Sequence, residues 1–468
     1  MLEALLSNFQ GTFVFIIVLS ILIVVHEWGH FITAKKLGVK VEEFSLGFGP
    51  KLFSKLHNGT EYMLKLIPLG GYVRMAGDER SRTHGQPDEF LSKPVGQRSL
   101  IVLNGPVVNF ILAYLCFALV FLIGYPAAPT LINKVKSSSP AAKAGIQEGD
   151  HIVSINGKKV YGQLHLERLL EGSSQDTLNL IIQRDGNELP VQVIPDIVME
   201  PDFFHQSRQK KDIGVSFTSN EIGWISEDSP AQKNDLKVGD RIIQVDGVNT
   251  FDWEDVRENI ADSSGDEIRI VLLRDGEQIE KRLIPEIIMV KDEDGVEKGV
   301  RKIGIAQGQD TELFRFDPLT SVRYAYDELA YITVMTYKAM YYMITGKTSP
   351  KESVGGPVLI FGVVKSAAER GISHLLLILG VVSASLAIFN LMPIIPLDGG
   401  HIFLFGIEKL RGRPLSEKTE DWISRIGLSF IILLALYIFY IDFERVGLFQ
   451  WIQQSVESLK QMSLKIFN

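Results

Sequence analysis

The sequence predicts a polytopic α-helical membrane protein with four transmembrane helices, two inserted β-rich domains and a membrane-associated β-hairpin. Three observations carry this expectation. Four long apolar stretches interrupt the chain, a duplication lies between the second and third, and an alternating run occupies the first loop. The 468 residues are 46% hydrophobic, with mean hydropathy +0.13 and net charge −8. At roughly 100–200 residues per domain, such a length holds about three or four units. The acidic balance argues against nucleic acid as a partner and leaves a lipid bilayer as the surrounding medium.

The first apolar stretch, 5–25, is uncharged and continues through two histidines to residue 34. It carries Glu3 but no Lys or Arg ahead of it and no small-residue cleavage site behind it, so it reads as a retained span and not a cleaved leader. The second, 99–125, is uncharged and ends at Pro126; Cys116, the only cysteine, sits inside it as a packing residue. The third, 371–397, stops at Asp398. The fourth, 426–441, is short against the ~20 residues needed to cross the hydrocarbon core, but Trp422 and Phe443 flank it. The expected division is 1–126 and 371–468 as two halves of one membrane domain, 127–220 and 221–309 as the β-rich pair, and 310–370 as an interfacial amphipathic helix and linker. Within the latter, Asp317-Pro318 opens the helix with a capping side chain and a proline at its first position, and Val354-Gly355-Gly356-Pro357 forms a turn.

Lysine and arginine set the orientation. The loop 35–98 holds eleven of them, and the loop between the third and fourth spans adds Lys409, Arg411, Arg413, Lys418 and Arg425, whereas 1–25 has none. Both loops are therefore expected on the cytoplasmic side, with both termini and the long middle region outside. In the first loop, the alternation Glu61-Tyr62-Met63-Leu64-Lys65-Leu66 runs into Gly70-Gly71-Tyr72-Val73-Arg74-Met75, which predicts a hairpin over about 40–75.

The β-rich pair follows from an internal repeat. With a shift of ninety residues, 133–217 overlays 223–307 without a gap. Ser139-Pro140-Ala141 falls on Ser229-Pro230-Ala231, Gly149-Asp150 on Gly239-Asp240, and Arg184-Asp185-Gly186 on Arg274-Asp275-Gly276. Short β-branched runs ending in Asn156-Gly157 and Asp246-Gly247 predict hairpins, with one short helix in each copy.

Chemistry concentrates in His26-Glu27-Trp28-Gly29-His30, at the end of the first span. Two histidines four apart share a helix face and can hold one Zn²⁺, while Glu27 beside them is free to act as general base. Ionisable groups at membrane depth mark function, because burying them unpaired is costly. A catalytic zinc takes three protein ligands, so a third must come from elsewhere. Asp398 is the candidate: the first and third spans run in the same direction, and both reach the cytoplasmic side near these residues. His26 lies about 13 Å short of Lys35 at 1.5 Å per residue, which keeps the metal within the membrane but nearer the cytoplasm. Pro393 and Pro396 must break the third span. Asn390 beside the break has two open roles, binding substrate main chain or satisfying its own freed backbone.

The motifs His26-Glu27-Trp28-Gly29-His30 and Asn390…Pro393…Pro396-Leu397-Asp398-Gly399 resemble those of the site-2 protease family of intramembrane metalloproteases. The repeats resemble bacterial PDZ domains, which bind extended peptides at a sheet edge, and the whole arrangement resembles the family's bacterial sigma-E regulator branch. The resemblance implies one zinc on His26, His30 and Asp398, with Glu27 as the base. It implies substrate contacts at Asn390, Pro393 and the strand Gly71, Tyr72, Val73, and close helix packing at Asn104-Gly105-Pro106…Asn109. It also implies an inner-membrane enzyme that hydrolyses transmembrane segments of pre-trimmed substrates, a trimmed anti-sigma factor and remnant signal peptides among them. The PDZ pair would then act as a periplasmic size filter with its own peptide ligands. The competing expectation is a membrane-anchored PDZ peptide receptor whose metal is structural. Such sites have four closed ligands, mostly Cys, and no spare Glu.

Overall fold

The structure, a computed structural model, describes residues 2–445 apart from 203, 205, 292–296, 309–310 and 350–353. The last part of the expected 371–468 half, 446–468, lies outside the described residues. Two compact units emerge: Met1–Tyr125 with Arg315–Asn468, and Pro126–Phe314.

In the first unit, four helices are long and apolar enough to cross a membrane. They are Gln10–Lys36, Val95–Ile123, Ile372–Asn390 and Glu417–Arg445, with mean hydropathies of 2.1, 2.5, 2.3 and 2.3. The outward faces stay apolar: Ile111, Leu115 and Leu119 on the second helix and Leu433, Leu436 and Tyr440 on the fourth are exposed. Hydrocarbon outside the bundle explains such surfaces, since lipid offers backbone groups no partners and the helix satisfies them internally. Between the helices, contact runs through small residues. A Cβ on Gly380 would lie 2.6 Å from the Phe117 ring, so that glycine lets the third apolar helix approach the second.

Two boundaries differ from expectation. The third apolar helix ends at Asn390, seven residues before the expected limit, because Pro393 and Pro396 cannot donate to a helical ladder; Asp398–Arg411 then forms a separate helix. The fourth extends to 29 residues, Glu417–Arg445, as polar flanks carry the helix past its apolar centre. The stretch after the tyrosine-rich helix Pro318–Ile344 also holds a further helix, Pro357–Arg370. Its amino end is capped by Asp442, 1% exposed, which accepts from the backbone N–H groups of Gly356, Val358 and Leu359 at 3.1, 2.9 and 3.3 Å. Asp317 caps Pro318–Ile344 as its position before a proline predicts.

Strands β1 (Val41–His57) and β2 (Thr60–Met75) are joined by Asn58-Gly59, both at positive φ, as a tight hairpin turn demands. Each strand folds back on itself. Glu43 pairs with Glu61 on one side and Arg74 on the other, and Phe44 with Tyr62 and Val73. The segment 71–75 thus lies at an edge, bonded on one side to 41–46.

In the second unit the ninety-residue repeat recurs as two matching sets of elements. Two four-stranded sheets are built, one from His151–Ile155, Lys158–Lys159, Leu178–Arg184 and Asn187–Val193, the other from Arg241–Val245, Val248–Asn249, Ile268–Arg274 and Glu277–Leu283. Each is covered by a nine-residue helix, Gln163–Glu171 or Trp253–Ala261. Ser139 and Ser229 both cap a short helix, and Arg184 and Arg274 both grip buried Asp150 and Asp240 at 2.6 Å. Separate apolar cores, around Ile152, Leu166 and Leu180 and around Ile242, Val256 and Ile270, hold the copies.

Candidate metal centre

The site is assembled where three helical segments meet. His26 and His30 lie one turn apart on the first helix, and their rings meet edge-on with centroids 4.8 Å apart. Asp398 enters from the amino end of helix Asp398–Arg411, where the positive end of the helix dipole favours a carboxylate. The glycine pair behind it makes this entry possible. A Cβ on Gly399 would sit 2.2 Å from the Leu391 carbonyl oxygen, and one on Gly400 2.6 Å from the Ile394 backbone, so the broken segment can fold tightly over the helix start.

The three acceptor atoms converge. His26 Nε2 is 3.1 Å and His30 Nε2 3.5 Å from Asp398 Oδ2, and the two nitrogens are 3.2 Å apart. The side chains are 11%, 11% and 17% exposed. These separations match the edges of a tetrahedral site, which for bonds of 2.0–2.1 Å are about 3.3 Å. Two further observations fit a cation there. Asp398 Oδ2 is buried and lacks a hydrogen-bond donor. His30 Nδ1 stands 3.0 Å from the Ile101 carbonyl oxygen, to which it can only donate, which leaves Nε2 as a bare lone pair. The donor set of two imidazoles and one carboxylate, with no thiolate, is that of an open catalytic zinc position and not of a closed structural one.

The second helix supplies the wall. A Cβ on Gly105 would lie 2.4 Å from His30 Nε2 and 2.9 Å from His26 Cε1, and one on Gly29 would lie 2.4 Å from the Asn104 carbonyl oxygen. Glycine on both helices brings them together beside the imidazoles. Asn104 Nδ2 locks the crossing by donating to the Gly29 carbonyl at 3.0 Å and to Thr33 Oγ1 at 2.7 Å.

Glu27 is half-buried and points toward strand segment 71–73. The Val73 N–H donates to its carboxylate, and a Cβ on Gly71 would meet Glu27 Cγ at 3.4 Å and Ile23 Cγ2 at 3.0 Å. Tyr72 points elsewhere: its hydroxyl donates to Glu43 at 2.6 Å and accepts from Lys65 at 2.8 Å. Asn390 ends its helix half-buried. The freed backbone beyond it pairs with main chain, Leu391 N with the Ala387 and Ile388 carbonyls and Met392 N with that of Phe389. Pro393 lies in the break itself. His401, one turn after Asp398, is outside the three-ligand cluster found among the described residues. The cap made by Asp442 and the helix Pro357–Arg370 escaped the sequence reading; the signal available was a lone aspartate at the end of an apolar run.

A bundle of membrane-length helices enclosing two imidazoles, a carboxylate and an adjacent glutamate defines a membrane-embedded metallopeptidase. Residues 14–434 match peptidase family M50, and the chain belongs to that family. It is similar to the regulator of sigma-E protease RseP of Salmonella typhimurium (strain 14028s / SGSC 2262), with 32% identity over 94% of this chain and 100% of that protein. The corresponding protein of Escherichia coli K12 is 32% identical over 92% and 98%, respectively. A putative zinc metalloprotease of Vibrio cholerae is 31% identical, also over 92% and 98%. Among solved structures, the PDZ domain of an SdrC-like protein from Listeria monocytogenes aligns with 20% of this chain and 90% of its own at 20% identity and a TM-score of 0.16, too low to carry an argument about fold.

Proposed function

We propose that this intramembrane zinc metalloprotease holds its ion on His26, His30 and Asp398 and uses Glu27 as the general base. Its substrates, on this reading, are single-span proteins already trimmed by an earlier cut, such as an anti-sigma factor, and remnant signal peptides. The observation that carries the assignment is the convergence of His26 Nε2, His30 Nε2 and Asp398 Oδ2 within 4.8 Å of one another among apolar helices. When bound there, zinc supplies Lewis acidity, lowering the pKa of water toward neutrality and polarising the scissile carbonyl. Glu27 takes the proton from the attacking water and returns it to the leaving amine.

A transmembrane helix has no free peptide bond, so the substrate must be held extended. The edge segment Gly71, Tyr72, Val73 supports that role, since it pairs on one side with 41–46 and on the other the Val73 N–H reaches Glu27, which would set an added strand beside the base. Asn390 and Pro393 lie at the helix break that leads to Asp398, and the pairing of the freed backbone with main chain favours a substrate-facing amide at Asn390. The hairpin as a whole belongs, in this reading, against the membrane, as does the helix bearing Tyr326, Tyr337 and Tyr341, all exposed. The basic loops favour a site toward the cytoplasm of a bacterial inner membrane, with both termini and the β-rich unit periplasmic. That unit is read as two PDZ domains, 127–220 and 221–309, which bind peptides and exclude intact proteins with bulky outer domains.

Glu27→Gln tests the mechanism. Cleavage of a single-span substrate by the purified protein should fall by the ~10²–10⁴-fold a general base contributes, with zinc content unchanged; undiminished turnover would remove Glu27 from the reaction. Deleting 127–309 should admit substrates with large outer domains, and unchanged selectivity would reject the filter.

A further inference from the structure

A metal at His26 Nε2 requires the imidazole proton to sit on Nδ1, and that proton needs an acceptor, because a ring with the proton on Nε2 has no lone pair to give. For His30 the backbone meets this need through Ile101. For His26 the group facing Nδ1 is a side chain from the second helix: Asn109 Nδ2, at 3.4 Å. Asn109 is fully buried, and its Oδ1 is a buried acceptor with no partner. Half a turn of the amide exchanges the two atoms and brings the orphaned oxygen onto the His26 Nδ1–H. In the opposite setting the amide donates to Nδ1 and drives the proton onto Nε2, where a cation would meet it.

We infer that Asn109 is a positioning residue that holds His26 in the Nδ1–H tautomer and presents Nε2 bare to the metal. The inference rests on the reading of His26 as a ligand. The residue is itself held from the side of the third ligand. Ser383 Oγ, fully buried, donates to the Asn109 carbonyl at 2.8 Å, and Ser383 lies on helix Ile372–Asn390, whose broken end leads to Asp398. Asn109 also follows Gly105 by one turn, on the same face of the second helix. One helix thus closes against the imidazoles with a glycine and orients one of them with an amide.

The test uses the full chain purified in detergent, with zinc affinity read by competition against a chelating indicator and Tm recorded with and without zinc. Asn109→Asp keeps the shape and can only accept; Asn109→Leu can do neither. The expected result is zinc binding at least as tight as wild type for Asn109→Asp and a loss of about 10–100-fold for Asn109→Leu, with the zinc-induced rise in Tm shrinking in step. A merely structural amide would lower Tm equally in the zinc-free state and leave that rise intact. Asn109→Asp binding as weakly as Asn109→Leu, or Asn109→Leu binding as wild type, would overturn the inference. Failure of the wild-type chain to bind zinc would instead remove the metal reading on which it stands.

Discussion

Gly105→Ala is the sharpest probe of how the helices define the metal centre. The added Cβ would lie 2.4 Å from both Nε2 and Cε1 of His30 and 2.9 Å from Cε1 of His26, where ordinary contact begins at 3.4 Å. Something must move by about 1 Å. His30 cannot swing freely, since Nδ1 is bonded to the Ile101 carbonyl and its ring abuts His26. The backbone cannot yield either, with Gly29 already against Asn104. Overpacking of this kind costs about 1–3 kcal/mol, and functional constellations tolerate only about 0.5 Å of displacement. If the strain is relieved by displacing the ligand, zinc affinity falls by roughly 5–150-fold at 1.4 kcal/mol per decade. Chelator competition on the purified protein measures this directly, alongside cleavage of a single-span substrate. Gly96→Ala on the same helix is the control, because nothing lies within 4 Å of its Cβ. Wild-type zinc affinity in Gly105→Ala would refute the claim that glycine is needed for the approach.

Other perturbations follow from the same geometry. Asp398→Asn preserves shape but removes the charge that pairs with the cation, so zinc retention on dialysis should fall by more than the ~10–100-fold carried by residues that only orient ligands; retained zinc would move the third ligand elsewhere. Asp442→Ala leaves the backbone N–H groups of Gly356, Val358 and Leu359, at the start of Pro357–Arg370, without their acceptor and should cost about 2 kcal/mol, seen as faster hydrogen exchange confined to that helix. In the β-rich unit, the Arg184 guanidinium holds the Asp150 carboxyl below its usual range, and at Asp240 burial pushes upward but the bonds from Arg274 and the Lys237 N–H together outweigh it. Both groups bind their proton more weakly folded than unfolded. Their contribution is therefore present above about pH 4 and lost as pH falls through the depressed values. Thermal scans should show Tm dropping on acidification in wild type, and Asp150→Asn should flatten that drop while lowering Tm near neutrality. An unaltered acid slope in the variant would contradict the assignment.

Much of the site was legible before any fold was known. His26, Glu27 and His30 lie within one turn, so helical periodicity alone brings the imidazoles to one face. Asp398 was legible through topology, as a carboxylate terminating a span that runs parallel to the first. The long helix Glu417–Arg445 was underestimated because hydropathy marks the apolar centre and not the polar turns that continue the ladder. The helix Pro357–Arg370 was not legible at all; its start is stabilised by a carboxylate 85 positions away, and no local pattern reports such a partner. The fold of β1 and β2 into four segments was equally hidden, since alternation names strands but not the bends at Gly47 and Gly70, each at positive φ.

The order of residues alone determined the class of chemistry, the four membrane-length stretches and the ninety-residue duplication, because these depend on side-chain type and on short, regular spacings. Only the tertiary structure decided that Gly105 meets the imidazoles, that Asn109 faces His26, and that the edge at Val73 reaches Glu27. Those contacts join segments dozens of residues apart, and their distances are set by how closely separate elements can pack, a quantity no single stretch of chain contains.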